Sequence, residues 1–170
     1  MYDVKVEIIS AGTGEVFKRL QGEARSPYAD VVFGGAYATY MINEELFEPY
    51  TSVNNGNIID IYKNTTGFIT PYVLDGSLIL VNKTLIGDIE INGYKDLLNP
   101  ALKGKIVSAN PTASSSAYAH LTNMLNAIGK GDYQDEAAWE FVQALFSNTV
   151  VIGSSSSVWK GVRDGEYTVG

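Results

Sequence analysis

The sequence predicts an α/β protein, built on mostly parallel sheets flanked by helices. Three observations carry that expectation. Four times a short apolar run, ending near Ile9, Phe33, Ala109 and Ile152, leads into a loop of Gly, Ala, Ser or Thr and then into a helical pattern. The run at 30–33 (DVVF) is short and almost wholly apolar, as strands buried on both faces of a parallel sheet are. The 170 residues, 45% of them apolar, suffice for one good core or two small lobes. In open α/β sheets the loops after the strands share the carboxyl edge, where ligands bind. A binding cleft is therefore expected where the four loops converge.

Taken in order, Val4, Val6 and Ile8 alternate with Lys5 and Glu7, a strand with one wetter face. Gly12, Thr13 and Gly14 form the loop after it. Val16, Phe17 and Leu20 give the next helix its apolar side, and Glu15 suits the positive end of that helix. This Gly-x-Gly lacks the third glycine of a dinucleotide fingerprint and the Gly-Lys-Ser/Thr of an ATPase phosphate loop. An ordinary strand-to-helix turn explains it equally well. Asp30 to Phe33 is a second strand, with Gly34, Gly35 and Ala36 behind it. Tyr40, Met41, Leu46 and Phe47 fall in one or two short helices ending at Pro49. Residues 51–66 are polar and read as a surface loop with a brief ordered piece at Ile58, Ile59 and Ile61. Two apolar runs then flank Leu74-Asp75-Gly76, which is either a hairpin turn or a hinge within one long strand crossing between lobes.

The stretch from Lys105 to Asn126 is the most informative. Ile106 and Val107 form a short buried strand, and Asn110-Pro111 breaks it. Thr112, Ser114, Ser115 and Ser116 crowd the start of a helix whose apolar face is Ala117, Leu121, Met124, Leu125 and Ile128. A helix start offers unpaired N–H groups and a partial positive charge, so an anion can sit there without Lys or Arg. The plainer reading makes one of these serines an N-cap. A second amphipathic helix spans 135–146, with Ala138, Trp139, Val142, Leu145 and Phe146 on one side. Thr149 to Ile152 is a further strand. Ser154 and Ser155 lead into a helix carrying Val158, Trp159 and Val162, and Val169 belongs to a last strand.

Composition excludes several classes. The net charge of −7 argues against nucleic-acid binding, which wants a basic face. No cysteine is present, which removes disulfides, thiolate metal sites and Cys nucleophiles. No apolar run reaches the roughly 18 residues of a membrane span, and no signal peptide is seen. His120 is the single histidine and no Gly-x-Ser-x-Gly elbow surrounds any serine, so His120 reads as a partly buried helix residue. Asp30, Asp60, Asp75 and Asp88 show no ligand spacing for a metal. No catalytic residue is expected. Tyr37, Tyr72 and Tyr118 lie near the small-residue loops or the hinge, where they either line the cleft or pack at its rim.

The segments SAGTGEVFKRLQGEA, ADVVFGGAYATY, GSLILVNKTLI, LKGKIVSANPTASSSAY and GSSSSVWKGVRDGEYTVG resemble the solute-binding proteins of bacterial ABC importers. The resemblance covers nearly the whole chain. It is strongest to the ferric-iron-binding branch of the type 2 periplasmic binding fold, which also holds binders of thiamine, phosphonates and sugar phosphates. It implies two α/β lobes, residues 1–75 and 76–170, closing on a ligand like a clamp. It also implies that the ligand is gripped at Gly12, Thr13, Gly14, Gly34, Gly35, Ala36, Ser114, Ser115, Ser116, Ser154 and Ser155. No cofactor is implied; ferric iron or a small anion bearing phosphate, phosphonate or carboxylate would be cargo. The partners implied are that small-molecule or metal ligand and an ABC permease. The place is the periplasm, or the cell exterior with a membrane anchor. The family begins with a further strand and helix before Tyr2 and continues past Gly170, so truncation at both ends is expected, along with self-association through an exposed sheet edge. Iron binders of the branch carry an adjacent tyrosine pair just beyond the position of Gly170. The alternatives are a ligand-sensing domain of a regulator with the same fold, and an α/β enzyme acting on a phosphorylated substrate.

Overall fold

Residues 3–170 are described in a computed structural model; Met1 and Tyr2, the first two positions of the expected 1–75 unit, lie outside the described residues. The helices are α1 (Thr13–Glu23), α2 (Tyr37–Met41), α3 (Ser115–Ile128), α4 (Glu136–Asn148) and α5 (Ser155–Arg163), and the strands are β1 (Ile106–Ala109) and β2 (Thr149–Ile152). Short 3-10 turns fill the stretches at 44–46, 55–57, 60–62, 94–98 and 100–102.

β1 and β2 pair in parallel, Ile106 beside Thr149 through Ala109 beside Ile152. Two isolated pairings extend this sheet. Val169 lies parallel beside Ile106, and Val81 lies antiparallel beside Val169. The order across is thus the segment at Val81, the segment at Val169, β1 and β2. Both Ile106 and Val107 are buried, which fits a strand covered on its two faces. One face receives α5, and the crossover from β1 to β2 runs through α3 and α4, which pack on one another. The core they enclose contains Leu97, Leu102, Ile106, Met124, Leu125, Ala138, Phe141, Val142, Leu145 and Val169.

The helix boundaries have local causes. Ser114 caps α3, its Oγ accepting from the Ala117 amide at 3.3 Å. Asp135 caps α4 in the same way, its carboxylate accepting from the Ala138 amide at 2.8 Å. α3 stops at Gly129 because the chain doubles back there; a Cβ at Gly129 would collide with the Asp132 carbonyl. The apolar face expected for α4 is correct but for one exchange. Phe141 is buried, whereas Trp139 stands 47% exposed and donates its indole N–H to the Tyr133 carbonyl.

A second, smaller packing centre lies in the first part of the chain. Phe17 of α1 is buried against Tyr40 (5.2 Å between ring centroids) and Phe47 (6.0 Å), and Phe47 stacks on Phe68 at 5.7 Å. Gln21 donates to the Asn43 side chain at 2.8 Å, which in turn donates to the Thr39 carbonyl. The polar stretch at 51–66 is held by its own side chains, with Asn64 Oδ1 accepting from the amides of Thr66 and Gly67.

Two expectations change. Residues 3–9 and 30–33 run extended but form no strand, because no neighbouring segment among the described residues supplies ladder partners. Their apolar side chains stand open, Ile8 at 82% and Phe33 at 79%. Of the two readings of Leu74-Asp75-Gly76, the hairpin does not form. The chain crosses there in one extended run, and beyond it Leu80 exchanges backbone hydrogen bonds with Gly170 at 2.8 and 2.9 Å. The accessible surface, 12057 Å², exceeds the roughly 8200 Å² of a compact monomer of 18.4 kDa. Much of the excess is on these extended segments.

Leu102 is fully buried at the floor of the larger core. Leu102→Ala leaves a cavity there and is expected to cost about 2–5 kcal/mol. Urea unfolding checks it: the midpoint falls while the slope stays unchanged.

Candidate functional site

The N-termini of α1 and α3 meet head to head. Thr13 Oγ1 and Ser115 Oγ are 3.1 Å apart although they are 102 positions apart in sequence. The Gly14 amide donates to the Ala113 carbonyl at 3.4 Å. Glycine eases this crossing. A Cβ at Gly14 would stand 3.2 Å from the Thr112 carbonyl oxygen, and one at Gly12 would stand 3.3 Å from that of Ala113. Glu15 turns back to accept from the Gly12 amide, which neutralises one open donor at the start of α1.

The loop at Gly34-Gly35-Ala36 joins this junction from one side. Its two glycines have φ of 97° and 80°, a region that side chains rarely adopt. A Cβ on Gly35 would lie 3.3 Å from the Thr13 methyl group and 3.2 Å from the Tyr40 ring.

A cleft of about 1920 Å³ opens beside these loops. Gly34, Gly35, Ala36, Ser115, Ser116 and Ser155 are in its wall, with Tyr37 and Tyr72. The volume exceeds the roughly 300–1000 Å³ of small-molecule sites. Residues 27–37 and 68–80 give it long, largely apolar stretches, polar side chains such as Lys63, Asn64, His120 and Asn123 also line it, and the small-residue loops stand at one end. Gly12, Thr13, Gly14, Ser114 and Ser154 are not in the wall. Gly12, Thr13 and Gly14 form the crossing behind it, Ser114 is committed to capping, and Ser154 Oγ is paired with Ser156 Oγ at 2.9 Å. Tyr118 faces a separate groove between α3 and α4 with Leu121 and Trp139.

The donors at the polar end are backbone amides. Those of Ser115 and Ser116 find no acceptor among the described residues, as the first amides of a helix do not. The Gly35 amide likewise has none among them. Sequence reasoning passed over two residues that shape these loops. Asn110 takes the amide and hydroxyl of Thr112 on its side-chain oxygen, both at 2.9 Å, and the amides of Ala113 and Ser114 on its carbonyl. Tyr40 donates its hydroxyl to the Gly34 carbonyl. The Asn-Pro pair announced the first as a turn former; nothing in the spacing announced the second.

No group of three or more His, Cys, Asp or Glu residues able to hold a metal occurs among the described residues. His120 sits on α3, half-buried, its ring 5.5 Å from that of Tyr94 and its Nε2 without a partner. Burial lowers its pKa below the usual imidazole range.

With the geometry established, the relatives can be placed beside it. The chain matches the family model of bacterial extracellular solute-binding proteins over residues 25–170, and it belongs to that family. An uncharacterized protein of Haemophilus influenzae is 29% identical over 180 residues, 99% of this chain and 51% of that protein. A probable ABC transporter periplasmic-binding protein of Sinorhizobium fredii is 22% identical, over 97% of this chain and 47% of its own. Among solved structures, a two-component system protein matches with a TM-score of 0.82 at 29% identity, over 98% of this chain and 54% of that one. The periplasmic binding protein AfuA of Actinobacillus pleuropneumoniae, solved with exogenous fructose-6-phosphate bound, matches with a TM-score of 0.78 at 26% identity, over 99% and 55%. The periplasmic binding protein P5PA matches with a TM-score of 0.75 at 25% identity, over 95% and 52%. The fold is thus that of periplasmic binding proteins, as the sequence resemblance implied. The chain spans about half the length of the curated relatives it matches.

His120 gives a test of the packing behind the site. Its pKa is lowered in the folded state, so below about pH 6.5 the unfolded chain binds more protons than the folded one. Stability is therefore full above that value and falls as the pH drops through it. Denaturant midpoints taken between about pH 7.5 and 5.5 should decline for the wild type, and should stay flat for His120→Phe, which keeps a ring but cannot titrate.

Proposed function

We propose that this chain is the solute-capturing part of an ABC importer's extracytoplasmic receptor. Its solute carries an anionic group, a phosphate, phosphonate or carboxylate, alone or as a ferric–anion unit. The observation that carries this reading is the polar end of the cleft. There the unpaired amides of Ser115 and Ser116 and the open Gly35 amide sit beside the Thr13–Ser115 hydroxyl pair. Such donors stabilise an anion through oriented dipoles, without a cationic side chain. That suits a chain of net charge −7. On this reading residues 1–75 and 76–170 are the two lobes. On it the anion meets Ser115 of the second at the cleft wall, with Thr13 of the first held against Ser115 from behind, and the gripping loops are those centred on Gly12-Thr13-Gly14, Gly34-Gly35-Ala36, Ser114-Ser115-Ser116 and Ser154-Ser155. The fructose-6-phosphate in AfuA favours a phosphorylated sugar as the first solute to try. The receptor acts in the periplasm, delivers to a permease and performs no reaction on its solute.

A second reading has one specific support. The likeness to a two-component system protein favours a sensor that uses the same cleft to report the solute rather than import it. Stimulation of a permease's ATP hydrolysis by the liganded protein distinguishes import from sensing.

Calorimetric titration of the full protein with ferric salt, inorganic phosphate, phosphonates and hexose phosphates tests the main reading. Tight binding of a phosphate-bearing solute without turnover is expected, and turnover of any of them overturns it. Ser115→Ala and Thr13→Val should each weaken binding by roughly 1 kcal/mol or more, about fivefold in Kd. Unchanged affinity in both places the site elsewhere.

A further inference from the structure

We infer that Tyr40 is a positioning residue for anion capture, its hydroxyl anchoring the Gly34 carbonyl so that the Gly35 amide is presented to the cleft. The inference rests on the anion-capturing reading given above.

The ring of Tyr40 has a fixed seat. It packs edge-on to Phe17 at 5.2 Å and lies 5.3 Å from Phe47, and Phe17 is itself buried. With the ring so held, its hydroxyl reaches the Gly34 carbonyl oxygen and donates to it. A trans peptide is planar, and its C=O and N–H point in opposite directions. Anchoring the Gly34 carbonyl on Tyr40 therefore turns the Gly35 N–H to the opposite side. Gly34 and Gly35 line the cleft, and the Gly35 amide has no acceptor among the described residues.

The loop needs such an anchor. Two consecutive glycines with φ of 97° and 80° have many other conformations open to them. No side chain of their own locks them. The contact is also directional: Tyr40 and Thr13 close on Gly35 from two sides, each within 3.3 Å of where a Cβ would stand. One tyrosine thus ties the glycine loop to the residue that meets Ser115. Burial, with the Tyr72 phenol nearby, raises the Tyr40 pKa, so the group remains a protonated donor at neutral pH.

Tyr40→Phe removes the hydroxyl and keeps the ring. Titration with inorganic phosphate and with fructose 6-phosphate should show affinity reduced about tenfold for whichever the wild type binds. The thermal midpoint should match the wild type. The amide resonances of Gly35 and Ala36 should shift while those of Ser115 and Ser116 hold still, a signature that general loosening would not give. Unchanged affinity, or a loss accompanied by a lowered midpoint and shifts throughout the chain, overturns the inference. Ser115→Ala, measured alongside, separates the two claims. If it weakens binding and Tyr40→Phe does not, the positioning role fails and anion capture stands. If the wild type binds neither probe, nor the ferric salt and phosphonates of the titration above, nor a carboxylate, anion capture by this cleft fails and the positioning role fails with it.

Discussion

The close approach of two backbone turns governs the rest of this structure. Gly12 and Gly14 lie against the carbonyls of Thr112 and Ala113 so closely that a Cβ would force the facing backbone to give way. That contact brings together the starts of α1 and α3, which belong to separate packing centres. One centre is the aromatic group of Phe17, Tyr40, Phe47 and Phe68. The other is the aliphatic core around Leu102, Val142 and Val169. Between them few apolar side chains meet, so the geometry of the polar end depends on glycine at two positions and on one hydroxyl pair.

The two centres differ in how completely they are built. The larger has a parallel pair of strands, helices on both sides and capped helix starts at Ser114 and Asp135. The smaller rests on one long helix and on side chains stitched to backbone, as at Asn43 and Asn64. Extended segments at 3–9, 30–33 and 70–78 carry apolar residues into the open. Hydrogen bonds along an extended chain need a neighbour of matching register, and apolar side chains need a cover. Among the described residues these segments have no such neighbour, and their main cover is the stacking of Phe33 on Tyr72 at 4.4 Å.

The sequence was legible where local chemistry decides the outcome. The run of small hydroxylated residues before Ala117 marked the start of α3, and the apolar spacing of Met124 and Leu125 marked its inner face. The pairing of Val169 with both Val81 and Ile106 was legible only as a last strand, because strand partners are chosen by the whole fold. Trp139 was misplaced because spacing puts it on the apolar side of α4, yet its indole N–H finds the Tyr133 carbonyl at the rim. Composition picked out the small-residue loops, but the open-sheet logic that was to bring them together assumed strands at 3–9 and 30–33 that do not form. Which members of each loop stand in the cleft wall was not legible. Ser114 and Ser115 are the same residue type side by side, and only the direction of the helix axis decides which one caps and which one reaches Thr13. Tyr40 was hidden for a similar reason, since its partner is a backbone carbonyl and leaves no mark in residue spacing.

If the proposed site is correct, the Thr13–Ser115 pair also sets an exchange that a guest has to win. The two hydroxyls already satisfy one another across the crossing. A neutral guest offering only alcohol groups swaps one such bond for another of similar strength. An ionised oxygen forms bonds roughly twice as strong as neutral ones, so it alone profits from breaking the pair. On the proposed reading, an uncharged sugar would gain little by displacing this pair, because the unliganded state is already self-sufficient.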